Sequence, residues 1–205
     1  MSNEIVIIVI SSVTLSILVV MLIGNSLNRI LTRVKNLSSR KNYISIKRQI
    51  ALRIAESTRE LSAQKLGALI VVQKQNSLAN FVNLGVIINS DVNVQLILAI
   101  FQKNSPLHDG AIIIDRDKII SASSYLPTTN KKISSKYGSR HRAAIGLSEQ
   151  YDALPIVVSE TTGQISYATK GTLIAVDDFM DLVNVIYRHI GYSDSDLRVT
   201  KNAEH

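Results

Sequence analysis

The rhythm of hydrophobic and polar positions changes twice along this chain. From Ile5 to Ile23 the run IVIIVISSVTLSILVVMLI carries no charge and nothing more polar than Ser and Thr. From about Tyr43 to Gln64 the residues Ile44, Ile46, Ile50, Ile54, Leu61 and Leu66 suggest an amphipathic helix open to self-pairing, although their spacing is too irregular for a heptad seam. From Gly67 the texture becomes short apolar runs between polar turns. GALIVV (67–72), GVIIN (85–89), GAIIID (110–115), KIISASS (118–124), LPIVVS (154–159), QISYAT (164–169) and GTLIAV (171–176) read as strands. Several are apolar on both faces, as in a sheet covered by helices on both sides.

Helical patterns lie between the strands. Residues 91–102 place Val94, Ile97, Leu98 and Phe101 on one face, and residues 141–152 follow a Gly-Ser cap. Residues 177–190 open with paired acids and close with Arg188 and His189, matching the helix dipole at both ends. The pattern predicts one α/β domain with a mixed central sheet flanked by helices. No internal repeat is present, and a polar tail follows Gly191.

At about 1.5 Å per residue, the run from Ile5 to Ile23 spans roughly 28 Å, close to the hydrocarbon thickness of a bilayer. A basic leader and a small-residue cleavage site are both missing, so the run reads as a transmembrane helix and not as a signal peptide. Glu4 precedes it, whereas Arg29, Arg33, Lys35, Arg40, Lys41, Lys47 and Arg48 follow it. The positive-inside rule then puts the bulk of the chain in the cytoplasm as a single-pass membrane protein. The expected organisation is an anchor over 1–25, a basic juxtamembrane helical linker over 26–65, a catalytic domain over 66–192 and a polar tail over 193–205.

Charge sharpens that division. The formal net charge of +7 invites a nucleic-acid reading, but residues 26–65 alone hold ten Lys or Arg against Glu56 and Glu60. Residues 66–205 are balanced, with thirteen basic and thirteen acidic side chains. The excess suits anionic lipid head groups, at about 1 kcal/mol per basic residue near the surface, and no nucleic acid is expected as partner. The absence of Cys excludes disulfides, thiolate metal sites and a cysteine nucleophile.

Three stretches can carry chemistry. In SPLHDGAIII (105–114), Pro106 fixes an extended approach, Asp109-Gly110 turns the chain, and Gly110-Ala111 allow a ligand close to the backbone. His108 and Asp109 form a plausible pair of hard-metal ligands, though alone the stretch reads equally as an ordinary turn. In YGSRHRAAIGLSE (137–149), a helix start carries Ser139, Arg140, His141 and Arg142, groups suited to a phosphate chain or to a basic surface turn. In VVSETTG (157–163), a buried strand ends in Ser159, Glu160, Thr161 and Thr162, a carboxylate among hydroxyls where open sheets place ligands. Together they match the needs of phosphoryl or nucleotidyl transfer: oxygens for a divalent metal, a base for a hydroxyl, and cations for a leaving pyrophosphate. The Walker, Rossmann and H-E-x-x-H signatures are all missing, so the residues by themselves lead as far as metal-assisted nucleotide chemistry.

SPLHDGAIII, YLP (125–127), GSRHRAAIGLSE and VVSETTG, in this order and with GALIVV ahead of them, resemble the diadenylate cyclase (DAC) domain over roughly residues 45–190. That family makes cyclic di-AMP from two ATP molecules. The resemblance implies a mixed, twisted sheet wrapped by helices. It assigns Asp109 to the catalytic Mg²⁺ or Mn²⁺ and to activation of the ribose 3′-hydroxyl, with His108 and Glu160 as further metal contacts. Gly110 and Ala111 would bear the nucleotide, Ser139, Arg140, His141, Arg142 and Ser159 the triphosphate, and Tyr125 and Leu126 the adenine. Each pocket holds one ATP, so the resemblance also implies a face-to-face homodimer.

Two departures stand out, Ser139 where the family usually has Thr and Thr161 where a second acid often follows the first. The single span resembles the membrane-anchored type known from mycoplasmas. The competing readings are a non-catalytic nucleotide-binding sensor, suggested by Thr161, and a metal-dependent phosphohydrolase using His108 and Asp109.

Overall fold

In the computed structural model the apolar runs become β1 (Ala68–Val72), β2 (Val86–Asp91), β3 (Ala111–Asp115), β4 (Lys118–Ser124), β5 (Leu154–Val158), β6 (Ile165–Thr169) and β7 (Thr172–Ala175). Five helices accompany them: α1 (Ser2–Ala63), α2 (Ala79–Val82), α3 (Val94–Phe101), α4 (Ser139–Gln150) and α5 (Phe179–His189). The structure describes residues 2–135 and 137–190, without the side chains of 2–14, 17, 19 and 30–43. The chain divides into two units, residues 1–44 and residues 45–205. The described residues of the first are helical.

All seven strands form one sheet in the order β2-β4-β3-β1-β5-β6-β7. β1 and β3 are parallel, and every other neighbouring pair is antiparallel. The sheet is therefore mixed, as the pattern of short apolar runs predicts. β1 and β5 are buried along their whole length because successive side chains point to opposite faces and helices cover both. Ala68, Ile70 and Val72 of β1 join a core completed by Ile50 and Ile54 of α1, by α3 and by α5. Leu69 and Val71 point the other way, against Ala143, Ala144 and Leu147 of α4. The outermost strands, β2 and β7, are mostly exposed.

Local chemistry sets the helix starts. Asn93 caps α3 by accepting from the N–H groups of Gln95 and Leu96, at 2.8 and 3.3 Å. Asp91, expected inside that helix, instead ends β2 and pairs with Lys118. The buried positions of α3 are Ile97, Ile100 and Phe101, while Val94 and Leu98, expected on the same face, are only half-buried. Asp178 caps α5 by accepting from Asp181 N–H at 3.0 Å. α4 begins at Ser139, so Gly138 alone stands at the cap and Ser139, expected there with it, lies in the first turn beside Arg140.

The largest revision concerns the basic linker. Residues from Ser45 on belong to the folded unit, and Ile50, Ala51, Ile54, Ala55 and Leu61 are core residues. Arg59 and Lys47 lie over the rings of Phe179 and Tyr187 on α5, at 4.9 and 4.8 Å. The face expected to be open to self-pairing is thus spent on the domain's own core, while Ile44 and Ile46, both over 40% exposed, lie off it. Among the described residues no helix is long and apolar enough to cross a membrane. The anchor expected at Ile5–Ile23 falls mostly on side chains outside the described set.

Ile54→Ala should therefore cost about 2–5 kcal/mol in urea unfolding, as for a fully buried core residue. Ile46→Ala should stay within about 0.5 kcal/mol of the parent. Equal effects from the two would show that this stretch is not part of the core.

Candidate active site

Strand directions decide where the three motifs meet. β3 runs parallel to β1, while β4 and β5 run against them, so the starts of β1 and β3 and the ends of β4 and β5 share one end of the sheet. Gly67, Asp109, Tyr125 and Ser159 stand at those four positions. The motifs, far apart in sequence, are brought together by topology.

In the first motif, Ser105 organises the turn. Its Oγ accepts from Leu107 N–H at 3.2 Å, and its carbonyl accepts from His108 Nδ1 at 2.6 Å, which leaves Nε2 of a neutral ring as the acceptor. Gly110 has φ +86°, and a Cβ there would lie 2.8 and 2.9 Å from backbone atoms of Ser123 and Ser124. Only glycine fits, and the turn it permits leaves the Asp109 carboxylate exposed. That carboxylate accepts from Gly110 N–H at 3.0 Å and from the Tyr125 hydroxyl at 3.3 Å. Tyr125 is within reach because Ala111 pairs with Ser124 across β3 and β4.

The second motif supplies the cations. Arg140 donates from Nη2 to the His108 carbonyl at 2.9 Å, and its Nη1 lies 3.6 Å from Glu160 Oε2. Its Nε is buried and has no hydrogen-bond partner among the described residues. An unpaired buried donor costs about 1–3 kcal/mol, so an arriving acceptor gains from it. Ser139 is exposed and Arg142 half-buried, beside the free N–H groups that open α4. His141 turns inward, 7% exposed, with its ring 5.1 Å from that of Tyr137. Burial lowers its pKa and favours the neutral imidazole. Gly146 lets α4 press on the loop after Leu126, since a Cβ would lie 2.5 Å from the Pro127 carbonyl.

The third motif is a closed loop. Ser159 is 8% exposed, and its Oγ accepts from Thr162 N–H at 3.3 Å, so this hydroxyl supports the loop from within. Glu160 stands outward with its side chain 59% exposed. Gly67, which sequence reasoning passed over as a strand residue, lies beneath the Arg140–Glu160 pair: a Cβ there would be 2.9 Å from Arg140 Nη1 and 3.2 Å from Glu160 Oε2. Its one signal in the sequence is a glycine opening a buried strand.

The model of the DAC family, described as DisA bacterial checkpoint controller nucleotide-binding, matches residues 55–173, which include all three motifs. The chain belongs to the DAC family. It is 52% identical over 114 residues to a diadenylate cyclase of Mycoplasma genitalium, covering 55% of this chain and 57% of that one. It is 44% identical over 144 residues to the diadenylate cyclase of Mycoplasma pneumoniae, covering 70% and 68% respectively. The crystal structure of a double mutant of DacA from Staphylococcus aureus superposes with a TM-score of 0.67 at 36% identity, covering 69% of this chain and 95% of that one.

Within the DAC domain the donor set bears on metal binding. No group of three or more His, Asp or Glu side chains converges among the described residues. His108, Asp109 and Glu160 are thus not a preformed cage. Hard cations of the Mg²⁺ type are commonly held by one or two carboxylates and completed by water and substrate phosphates. An exposed Asp109 next to His108, whose carbonyl Arg140 of α4 reaches, fits that mode. Asp109, Ser139 and Glu160 are all exposed, and two grooves of about 330 and 690 Å³ lie away from them, under α5 and β7 and around Lys74 and His189.

Because burial depresses its pKa, His141 binds its proton less readily folded than unfolded. Its contribution to stability is complete above the ordinary value of 6.5 and is lost as pH falls below it. Burial shifts His189 in the same direction, so both act together. Urea unfolding at pH 7.5 and 5.5 should show a loss on acidification that His141→Gln reduces; an unchanged loss would show that this ring does not titrate as described.

Proposed function

We propose that this chain is a diadenylate cyclase that condenses two ATP molecules into cyclic di-AMP and two pyrophosphates. The observation that carries the reading is the convergence, in a DAC domain, of an exposed carboxylate with a helix start bearing Arg140. Each ribose 3′-oxygen attacks the α-phosphorus of the other nucleotide, a P–O bond forms, and the bond to pyrophosphate breaks. In this reading Asp109 accepts the 3′-hydroxyl proton. Ser139, Arg140, Arg142 and the N–H groups of α4 hold the triphosphate, with His141 as a neutral, inward-facing neighbour. Gly110 and Ala111 offer a bare backbone for the ribose, and Tyr125 and Leu126 border the adenine. Asp109, assisted by His108 and Glu160, holds a divalent metal, Mg²⁺ or Mn²⁺, which when bound lowers the charge on the reacting phosphate.

Two further parts of the proposal rest on architecture. With Asp109, Ser139 and Glu160 all open to solvent, a second copy of the domain, face to face, supplies both the cover and the second ATP. Residues 5–23 anchor the chain as a single-pass span with the catalytic domain in the cytoplasm, and the following basic residues rest on anionic lipid. In support, a solved protein of Bacillus cereus described as a hypothetical membrane spanning protein is similar at 42% identity and a TM-score of 0.59, over 61% of this chain. Confinement to a membrane plane raises the effective concentration of partners.

Thr161 in place of a second acid favours one other reading: a sensor that binds ATP without turning it over. The full chain with ATP and Mn²⁺ should yield cyclic di-AMP and pyrophosphate by mass spectrometry. Asp109→Asn should lower the rate by about 10²–10⁴-fold, the range for loss of a positioned base, while ATP affinity changes little. ATP binding without any product would favour the sensor, and near-normal turnover by Asp109→Asn would remove that residue from the chemistry.

A further inference from the structure

The loop carrying Glu160 holds its own shape. Gly163 N–H donates to the Ser159 carbonyl at 2.8 Å, Ser159 N–H to the Gln164 carbonyl at 3.0 Å, and Gln164 N–H to Thr162 Oγ1 at 3.1 Å. These bonds close the hairpin between β5 and β6, whose stem is set by the pairing of Val158 with Ile165. Outside the loop, Ser62 in the last turn of α1 donates from Oγ to the Gly163 carbonyl at 2.6 Å, across 101 residues of sequence. Gly163 has φ +78°, and a Cβ there would lie 2.8 Å from the Ser62 carbonyl, so helix and loop are in backbone contact.

From Ser62 the chain reverses within a few residues. Lys65 N–H donates to the Ser62 carbonyl and Leu66 N–H to the Leu61 carbonyl, at 3.0 and 2.9 Å, with Leu61 and Leu66 buried. The next residue is Gly67, beneath the Arg140–Glu160 pair. One corner, residues 61–67, thus touches the Glu160 loop from behind and the pair itself from below.

We propose that Ser62 and Gly67 are positioning residues that set Glu160 against Arg140 and so tune how tightly the site holds a metal-bound triphosphate. Ser62 ties the Gly163 end of the hairpin loop to α1, which steadies the tip that carries Glu160. Gly67 leaves the space in which Arg140 Nη1 and Glu160 Oε2 come within 3.6 Å. Neither residue touches the nucleotide. The inference rests on the cyclase reading for the identity of the ligand, but its test does not depend on turnover.

The probe is 3′-deoxy-ATP with Mn²⁺, which lacks the attacking hydroxyl and cannot react. Titration calorimetry on the full chain should show affinity reduced about fivefold by Ser62→Ala, the scale of one lost hydrogen bond, and restored to within about twofold by Ser62→Thr. Gly67→Ala is compatible with its backbone and should weaken binding at least as much, with the Mn²⁺ concentration for half-saturation raised in parallel. Thermal melts identify any variant that fails to fold, and the Ser62 pair then carries the test. Wild-type affinity in Ser62→Ala, or equal loss in Ser62→Ala and Ser62→Thr, overturns the inference. If the parent binds the probe yet makes no cyclic product from ATP, the cyclase reading fails while the positioning result stands.

Discussion

A single guanidinium joins the parts of this site. Arg140 reaches from the first turn of α4 to the carbonyl of His108 on one side and to the carboxylate of Glu160 on the other. Without such a bridge, the turn before β3 and the loop after β5 would be neighbours only by virtue of the sheet between them. Several sequence features follow from this requirement. Gly67 must lack a side chain, and α4 must sit close to the sheet, which Ala143 and Ala144 allow on its inner face. Arg140 must also lie half-buried, with Nε buried and without a partner among the described residues. An unpaired buried donor is unfavourable by itself.

The sheet was legible because its signal is local. Apolar runs of four to seven residues bounded by Gly, Asp and Asn report strands however they pair, and apolarity on both faces of β1 and β5 reports that helices cover both sides. The chemistry-bearing stretches were legible for a similar reason, since Asp109-Gly110 and Ser139-Arg140-His141-Arg142 are compact motifs at element ends. Their convergence on one end of the sheet was not, because it depends on β1 and β3 being parallel and on β5 running against β1. No local pattern encodes strand order.

The helical stretch from Ser45 to Ala63 shows where pattern reasoning misled. Its basic residues resemble a juxtamembrane linker, and its apolar spacing is irregular. Both features arise because this part of α1 packs into the domain's own core. Ile50, Ile54 and Leu61 meet a surface built by strands and by α5, while the aliphatic stems and charges of Lys47 and Arg59 cover aromatic rings. Charge counted along the sequence cannot separate a cation facing lipid from one lying on an aromatic ring. Gly67 and Ser62 escaped notice for a related reason, since the meaning of each lies in partners about 70 to 100 residues away.

The lone acid of the third motif can also be understood from the strength of its pairing. An ion pair at 3.6 Å with the carboxylate largely exposed contributes about 0–1 kcal/mol, because water screens it and the side chains lose entropy in forming it. The Arg140 bond to the His108 carbonyl is shorter, at 2.9 Å, and better shielded. Arg140 is thus held to the Asp109 turn more firmly than to Glu160. A second acid after Glu160 would add negative charge to a loop that meets a single guanidinium. With Thr161 there instead, one carboxylate faces Arg140 and the loop keeps its shape through bonds that involve no charge.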